Sequence, residues 1–329
     1  MKDIAKNAGV SQSTVSRVLS GSDSVKPEVK MKVMEWVRKL DYHPNLIAQS
    51  LVGNKSLLIG VIITNISNPF FSEIIKSIES EAVKYGYSII LCNTDGNLEK
   101  EKKYINILKS YNVDGILIVP SYYKDKHFNS LKDSDVPIVV ITQDVPGFSC
   151  ISISHYISGK EVAKHLINMG YSKFLFIGSD DDDKLKGFKE QIESSGFDGN
   201  KDLIIINNNE QRNSINIRLK EIVVNNSQNQ GIGIFANNDL EALVVLHILK
   251  EMKVKIPENV ALVGFDNTFI CKDVSPTLSS VAQPIEEIGK QSVEVLMDKI
   301  CKKENLQEKH VILEPRIVIR ESSVKSNNY

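Results

Sequence analysis

Residues 5–19 of the chain read AKNAGVSQSTVSRVL. A helix-turn-helix motif needs a small residue where its two helices touch, a glycine in the turn, and an apolar face on the second helix. Ala5 and Gly9 supply the first two features, and Val15 and Val18 supply the third. The spacing therefore predicts a helix-turn-helix in this stretch.

Local signals predict where the helices around this motif begin and end. Ser11 is placed to cap a second helix that begins at Gln12. Gly21 is expected to end that helix, and Pro27 occupies a position favoured in the first turn of a third helix. Together with the apolar spacing, these signals predict three short helices over residues 1–40, which form an all-α head.

The outward face of the second helix carries side chains that can hydrogen-bond to base edges in the major groove. Those near the helix start are Gln12, Ser13, Ser16 and Arg17. Arginine pairs well with guanine, and glutamine with adenine. Residues 1–60 also hold nine Lys and Arg against five Asp and Glu, in a chain of net charge −1. The alternative is the polar face of a small helical bundle, but the spacing and the capping signals favour DNA reading.

From residue 57 the pattern changes to short apolar runs that alternate with amphipathic helical stretches. The apolar runs are Leu57–Ile63, Ser88–Leu91, Gly115–Val119, Ile138–Ile141, Phe174–Ile177, Leu203–Ile206, Ile232–Phe235 and Ala261–Gly264. The helical stretches include Phe71–Tyr85, Glu99–Tyr111, Ser158–Met169, Leu240–Met252 and Glu286–Cys301. This alternation predicts parallel sheets covered by helices, an α/β body. Because there are too many strands for one compact sheet, we expect two doubly wound lobes, with crossings near residues 158 and 282.

The composition narrows the class of protein. The chain has 329 residues, of which 42% are hydrophobic and 25% charged, as in soluble globular proteins. No apolar run approaches the roughly 18 residues needed to span a bilayer, and the N-terminus lacks the apolar segment of a secretory signal. The sequence therefore predicts a cytoplasmic protein without a membrane partner.

No stretch of the sequence has the spacing of a catalytic, cofactor-binding or metal-binding motif. The cysteines are scattered, at Cys92, Cys150, Cys271 and Cys301. The six histidines also lie far apart, and neither a glycine-rich phosphate loop nor a nucleophile elbow is present. We therefore expect no enzymatic activity and no catalytic residues, cofactor or metal.

A short linker joins the head to the body. Residues 42–53 have helical propensity but only enough length for a few turns of helix. Such a helix is marginally stable in water by itself. The linker is therefore a candidate for a segment that folds under one condition and unfolds under another.

Several motifs together resemble the lactose-repressor (LacI/GalR) family of bacterial regulators. In the head they are IAxxAGVSxxTVSRVL from Ile4 and YxPNxxAxSL from Tyr42. In the body they are NPFF from Asn68, VDG from Val113, ND from Asn238, VGFD from Val263 and RES from Arg320. The resemblance covers essentially the whole chain. It implies a helix-turn-helix head joined to two doubly wound parallel-sheet lobes of the periplasmic-binding-protein type.

The resemblance also implies which residues touch DNA. Gln12, Ser13 and Arg17 would read bases, and Thr14 would contact a phosphate. The linker would form a hinge helix whose Leu51 wedges into the minor groove, which kinks DNA at a cost of order a few kcal/mol. The complete expected DNA-binding set is Gln12, Ser13, Thr14, Ser16, Arg17, Asn45, Ala48 and Leu51.

A ligand cleft is expected between the lobes, because open α/β sheets bind ligands beyond the C-terminal ends of their strands. The residues expected to bind an effector there are Asn68, Phe70, Phe71, Ser121, Lys184, Asn238, Asp239 and Asp266. Several have structural alternatives. Asn68 is also a turn signal, Asp239 could cap a helix, and Phe70 and Phe71 could be ordinary core.

Two features of the second lobe bear on the effector. Lys184 stands where many members of the family have an arginine, and lysine cannot make the same forked hydrogen bond. The run Asp180–Asp183 precedes it, and a solvated loop is the favoured interpretation of that run. If the run lines the cleft, it disfavours an anionic effector.

These observations predict a sequence-specific transcriptional repressor controlled by a small molecule, with a sugar or sugar derivative favoured. The alternatives are a solute-binding protein with the same two lobes and a purine-responsive regulator. The expected partners are a pseudo-palindromic operator DNA, a carbohydrate effector and a second copy of the chain in a homodimer. The expected domains are a head at 1–43, a linker at 44–56, and a body at 57–329. The N-lobe is expected at about 57–158 and 283–315, and the C-lobe at about 159–282 and 316–322.

Overall fold

A computed structural model describes residues 1–19, 24–42, 55–122, 126–207, 212–226, 231–302 and 307–324. The head contains three helices, α1 (Lys2–Ala8), α2 (Gln12–Leu19) and α3 (Pro27–Lys39). Their apolar faces meet in a small core made of Ile4, Ala5, Ala8, Val15, Val18 and Val33. The predicted three-helix head is confirmed, with Pro27 in the first turn of α3.

The body alternates strands and helices. Its strands are β1 (Leu58–Ile63), β2 (Ser88–Asn93), β3 (Gly115–Ile118), β4 (Ile138–Ile141), β5 (Ser149–Ile153), β6 (Lys173–Gly178), β7 (Leu203–Asn207), β8 (Ile232–Ala236), β9 (Val260–Asp266), β10 (Ser279–Ala282), β11 (His310–Leu313) and β12 (Arg316–Val318). Its helices are α4 (Pro69–Lys84), α5 (Leu98–Ser110), α6 (Lys126–Ser130), α7 (His155–Asn168), α8 (Asp183–Ser194), α9 (Arg212–Asn226), α10 (Asp239–Glu251), α11 (Ile270–Asp273) and α12 (Ile285–Lys302). A 3₁₀ turn, Leu131–Asp133, follows α6.

The strands form two six-stranded sheets, one in each lobe. The first sheet has the order β11-β5-β4-β3-β1-β2, and all of its pairs are parallel. The second has the order β12-β10-β9-β8-β6-β7. Strands β1, β3, β4, β5, β6, β8 and β9 are almost completely buried, as expected when helices cover both faces of a sheet.

The second sheet differs from the prediction of purely parallel sheets. Strand β12 pairs antiparallel with β10, and Val281 lies opposite Ile317 in this ladder. An antiparallel strand at the edge of a parallel sheet is common in doubly wound folds, because only the inner strands need helical crossovers. The predicted fold class, a helical head on two doubly wound α/β lobes, is otherwise confirmed.

Three chain segments connect the two sheets. The first follows β5, the second follows β10, and the third is the two-residue segment Glu314–Pro315 between β11 and β12. These strands lie at the same end of the strand order in their sheets, since β11 and β12 are edge strands and β5 and β10 are their immediate neighbours. The chain therefore passes between the lobes along one side of the body.

Two helices next to the first crossing pack unusually closely. A Cβ atom on Gly159 of α7 would overlap the backbone carbonyl of Lys184, and one on Gly187 of α8 would overlap the carbonyl of Tyr156. Each glycine thus lets the backbone of the other helix approach to contact distance. This crossing brings the N-terminal ends of α7 and α8 together.

Within the residues that the structure describes, no helix combines the length and the apolar character needed to cross a bilayer.

Candidate DNA-reading helix and ligand cleft

The turn between α1 and α2 has the geometry that its sequence predicts. Gly9 adopts a left-handed backbone with φ of 69°, and the amide of Val10 donates to the carbonyl of Ala5 at 3.0 Å. Ser11 caps α2, because its Oγ accepts the amide of Thr14 at 3.1 Å. The predicted cap and the start of α2 at Gln12 are therefore confirmed.

The outward face of α2 presents the predicted polar set. Gln12, Ser13 and Arg17 are exposed, while Thr14 and Ser16 are half-buried. The hydroxyl oxygens of Ser13 and Thr14 lie 2.7 and 2.9 Å from Ser11 Oγ, at the helix N-terminus. The first turn of α2 has no acidic residue. An N-terminus that carries hydroxyl groups and no carboxylate suits a phosphate, and Gln12 and Arg17 lie on the exposed face of the same helix.

The predicted contacts in the linker are not assessed by the structure. Asn45, Ala48 and Leu51 lie outside the described residues, as does most of the expected hinge helix. Their roles stay predictions.

A cleft of about 640 Å³ lies between the lobes. It brings together most of the residues expected to bind an effector: Asn68, Phe70, Phe71, Ser121, Lys184, Asn238 and Asp266. These residues come from both lobes, at the C-terminal ends of strands or the starts of the helices that follow. The residues predicted from strand ends therefore line one cleft, and their roles in binding stay predictions.

Asp266 is the most constrained group in the cleft. It ends β9 with a φ of 108°, a backbone conformation that is unfavourable for any residue except glycine. Its Oδ1 accepts from Gln283 Nε2 at 2.8 Å, and its Oδ2 accepts from Asn68 Nδ2 at 3.4 Å. Burial, reinforced by the charge of Asp239, raises the pKa of Asp266 to about 8. Asp266 therefore links the two lobes through a carboxyl group that is largely protonated at neutral pH.

Asp239 does not line the cleft, which corrects the expectation that it binds the effector. Its side chain is buried and accepts hydrogen bonds from the amide of Thr268 at 2.8 Å, Thr268 Oγ1 at 2.9 Å and Ser280 Oγ at 2.6 Å. These bonds fix the loop after β9. Asp239 thus positions the segment that carries Asp266, and its carboxylate is occupied by the protein itself.

Asn68 has the turn role considered for it, and it also contacts the opposite lobe. Its Oδ1 caps α4 by accepting the amide of Phe70 at 3.1 Å, while its Nδ2 reaches across to Asp266. Phe70 is buried in the core of the first lobe, and its ring centroid lies 5.2 Å from that of Phe71 in an edge-to-face arrangement. Phe71 is half-buried and is the better placed of the two to offer a ring face to a ligand.

Lys184 is buried, and its ammonium group already has three interaction partners within the protein. Its Nζ donates to the carbonyl of Asn237 at 3.0 Å, lies 3.4 Å from Asp182 Oδ2, and sits 4.2 Å from the ring centroid of Phe265. The charge is thus balanced inside the protein. Lys184 lines the cleft, but it cannot hold an anionic group in the way that a free arginine would.

Three members of the aspartate run line the cleft, and two of them, Asp181 and Asp183, are exposed, as expected of a solvated loop. Asp181, Asp182 and Asp183 line the cleft, and Asp182 caps α8 by accepting the amide of Lys184 at 2.8 Å. Asp180 points elsewhere and accepts from Asn207 Nδ2 at 3.0 Å. A run of small polar residues before a helix signals a cap, but sequence could not show which side of the loop faces the ligand.

The two remaining predicted residues have structural partners at the cleft wall. The amide of Ser121 donates to Glu101 Oε2 at 2.6 Å, and its hydroxyl lies 3.0 Å from Thr94 Oγ1. Asn238 Oδ1 caps α10 by accepting the amide of Glu241 at 2.9 Å. Each therefore shapes the wall, and each still presents polar surface to the cleft.

Sequence reasoning missed a second set of polar residues in the cleft. Five lining residues have a buried side-chain atom with no hydrogen-bond partner: Gln143 Oε1, Ser152 Oγ, His155 Nε2, Asn237 Oδ1 and Gln283 Oε1. A buried polar atom that has no hydrogen-bond partner within the protein usually forms a hydrogen bond with a ligand or with water. Three of the five are amide oxygens, which only accept hydrogen bonds. The cleft is therefore rich in acceptors and suited to a ligand with several donors.

His155 adds a neutral group to this wall. Burial and the nearby charge of Lys184 lower the pKa of His155 to about 4. Its ring packs edge-on against Phe265, with 5.4 Å between centroids. At neutral pH the imidazole is therefore uncharged and can act as either donor or acceptor.

Comparisons with known proteins extend the similarity to the whole chain. A family model described as bacterial regulatory proteins, lacI family, matches residues 1–45, and one for a periplasmic binding protein-like domain matches residues 163–323. The HTH-type transcriptional regulator DegA of Bacillus subtilis (strain 168) is 32% identical, over 99% of this chain and 98% of DegA. Catabolite control protein A of Staphylococcus xylosus is 33% identical, over 97% of each chain.

A solved structure agrees in fold as well. The periplasmic binding protein/LacI transcriptional regulator from Alkaliphilus metalliredigens QYMF, complexed with D-xylulofuranose, is 30% identical. It matches with a TM-score of 0.69 and covers 82% of this chain and 99% of its own.

Proposed function

Because the chain belongs to the LacI family of bacterial regulatory proteins, we propose that it represses transcription by binding an operator under the control of a small molecule in its cleft. The observation that supports this most directly is α2, a capped helix with an exposed row of base-reading side chains and no acidic residue in its first turn. A solute-binding protein would have no use for such a head. The repressor would act in the cytoplasm, where its DNA lies.

The proposed mechanism couples the cleft to the head through the linker. Two copies of the chain would place their α2 helices on the two halves of a pseudo-palindromic operator. Ligand binding would change the angle between the lobes and thus the spacing of the two linkers. Asn68 and Asp266 meet across the cleft at 3.4 Å, a long hydrogen bond that a ligand hydroxyl could replace. The linkers would then fold on DNA in one state and not in the other.

Replacing Arg17 with Ala should weaken binding to the operator by about 1–3 kcal/mol, because a guanine-reading fork is lost, and should spare binding to random DNA. The operator is first selected from random palindromic duplexes with the purified chain, and affinities are then measured by fluorescence anisotropy at fixed salt. Arg38→Ala removes the same charge from the exposed end of α3 and serves as the matched control. Equal losses on operator and random DNA would contradict a base-reading role for Arg17.

The ligand we propose is a neutral carbohydrate. The charged residues that line the cleft are the carboxylates of Asp144, Asp181, Asp182 and Asp183 and one lysine, Lys184, while Asp266 is largely protonated at neutral pH. Carboxylates repel anions, while unpaired amide oxygens accept from hydroxyl groups. The sugar bound by the similar regulator of Alkaliphilus metalliredigens supports the same class.

A thermal-shift screen is expected to find stabilisation by one or more neutral sugars and none by the corresponding sugar phosphates at equal concentration. At a hundredfold excess over Kd, a ligand stabilises the folded chain by about 2.7 kcal/mol. Purine bases and nucleosides form the third arm of the screen. If a purine or a sugar phosphate gives the largest shift, the carbohydrate assignment is wrong. A turnover assay on each hit should show the ligand unchanged, as expected of a regulator that is not an enzyme.

A further inference from the structure

Three side chains with metal-binding donor atoms meet at the edge of the first sheet. They are Asp144 in the turn after β4, Cys150 on β5 and His310 on β11, and one donor atom of each lies within 4.8 Å of the other two. Asp144 and His310 are 166 residues apart in sequence. That separation explains why motif spacing predicted no metal site here.

The sheet holds two of these residues in a fixed relation. Cys150 and His310 are register partners in the parallel pairing of β5 with β11. Register partners project from the same face of a sheet, on strands about 4.8 Å apart. Sites built on strands are more precisely placed than sites on loops alone. The thiol and the imidazole are therefore held side by side by the backbone.

The turn between β4 and β5 is organised around the sulfur. The amide of Val145 donates to Cys150 Sγ at 3.2 Å, and the carbonyl of Phe148 lies 3.3 Å from it. Because Asp144 directly precedes Val145, the same turn brings the Asp144 carboxylate to the imidazole. Asp144 Oδ1 lies 2.5 Å from His310 Nδ1.

A fourth residue supports the imidazole from its other side. Glu308 Oε2 lies 3.4 Å from His310 Nε2 and accepts the amide of Gly147 at 3.2 Å. Histidines that bind metal almost always donate their second ring nitrogen to a carboxylate or carbonyl, which fixes the tautomer. With Glu308 at Nε2, Nδ1 is the ring nitrogen that faces Asp144 and Cys150, and it is hydrogen-bonded to Asp144.

We propose that Asp144, Cys150 and His310 bind one divalent transition-metal ion of the zinc class, with Glu308 orienting the imidazole. A set of one sulfur, one nitrogen and one oxygen donor suits Zn²⁺, whereas Mg²⁺ and Ca²⁺ prefer oxygen donors throughout. When the ion binds, the thiol proton and the Nδ1 proton that His310 shares with Asp144 are released to solvent. Three protein ligands leave one coordination position for water or for a group in the adjoining cleft, which Asp144 also lines.

Cobalt(II) provides a direct test on the untagged, full-length chain after removal of metal with a chelator. One Co²⁺ per chain is expected, with the near-ultraviolet charge-transfer band of a cobalt-thiolate bond, and Zn²⁺ should displace it. Cys150→Ser should abolish the band, while Cys301→Ser, which changes an exposed cysteine elsewhere, should leave it intact. Glu308→Gln should weaken Zn²⁺ binding by about 10–100-fold and keep the band.

His310→Gln carries the test if Cys150→Ser fails to fold, because His310 is exposed and its replacement leaves the core unchanged. It should lower Co²⁺ affinity at least as much as Glu308→Gln does. The proposal is overturned by a wild-type chain that shows no thiolate band. It is also overturned by a folded Cys150→Ser or His310→Gln chain that binds Co²⁺ as the wild type does.

Discussion

The stability of Asp266→Asn relative to the wild type is expected to be about 4 kcal/mol higher at pH 8 than at pH 5, in addition to a pH-independent loss from placing an amide donor against Gln283 or Asn68. The pKa of Asp266 is about 8 in the folded chain, above its ordinary value of 3.8. Between these values the folded chain holds a proton that the unfolded chain releases, so the wild type loses stability as the pH rises. Asparagine does not titrate, and three pH units at 1.36 kcal/mol each give the expected difference.

Urea unfolding of both chains at pH 5 and pH 8 measures this difference. Asp239→Asn is the comparison, because Asp239 is equally buried and burial also raises its pKa, but it accepts three hydrogen bonds from Thr268 and Ser280. Asparagine would place a donor against one of these donors, so Asp239→Asn should lower stability at both pH values. If Asp266→Asn changes the free energy of unfolding by the same amount at pH 5 and pH 8, Asp266 is ionised in the folded chain at both pH values.

Gly187→Ala is expected to lower the free energy of unfolding by about 3 kcal/mol, at the upper end of the usual range for overpacking. The new methyl group would overlap the carbonyl of Tyr156, a backbone atom that cannot move aside alone. At an ordinary exposed helix position, the same substitution would stabilise the chain by about 1 kcal/mol. A decrease in the free energy of unfolding therefore indicates that α7 and α8 approach each other closely, and an increase indicates that they do not.

The measurement is chemical denaturation, with Ser194→Ala at an exposed position of α8 as control. The control should change stability by no more than about 0.5 kcal/mol. Gly187→Ala should also weaken ligand binding, because α7 and α8 carry His155, Tyr156 and Lys184 into the cleft. A stabilised Gly187→Ala chain would mean that the two helices are farther apart than described.

The parts of the fold that sequence predicted well are those with local causes. Gly9 and Ser11 mark a turn and a cap through their own backbone and side-chain chemistry, and the structure has both. Six of the eight apolar runs became inner strands, while Ser88–Leu91 and Leu203–Ile206 lie in the edge strands β2 and β7. Strands β5, β10, β11 and β12 were not predicted, because all four are short, SCISI and SSVA are rich in serine, and their pairing depends on distant partners.

The cleft was predicted in position but only partly in composition. Residues after strand ends were found by a general rule of α/β folds, whereas Gln283 and His155 were not, since both come from the crossings between lobes. Asp239 was assigned to the ligand because it follows the strand Ile232–Phe235 and belongs to the ND motif of the family resemblance. Only the three-dimensional structure shows that Thr268 and Ser280 donate hydrogen bonds to its carboxylate.

All three crossings between the lobes lie along one side of the body. A rotation of one lobe about these crossings therefore moves the opposite edges of the two sheets the most. Five strand spacings separate β11 from β2 in one sheet and β12 from β7 in the other, which is roughly 24 Å at about 4.8 Å per spacing. A rotation of about 10° at the crossings would therefore displace the remote edges by roughly 4 Å. The third crossing, of two residues, keeps the near edges together. A small rearrangement around a bound molecule would thus appear as a large displacement at the far ends of the sheets, and a probe beside the crossings would barely register it.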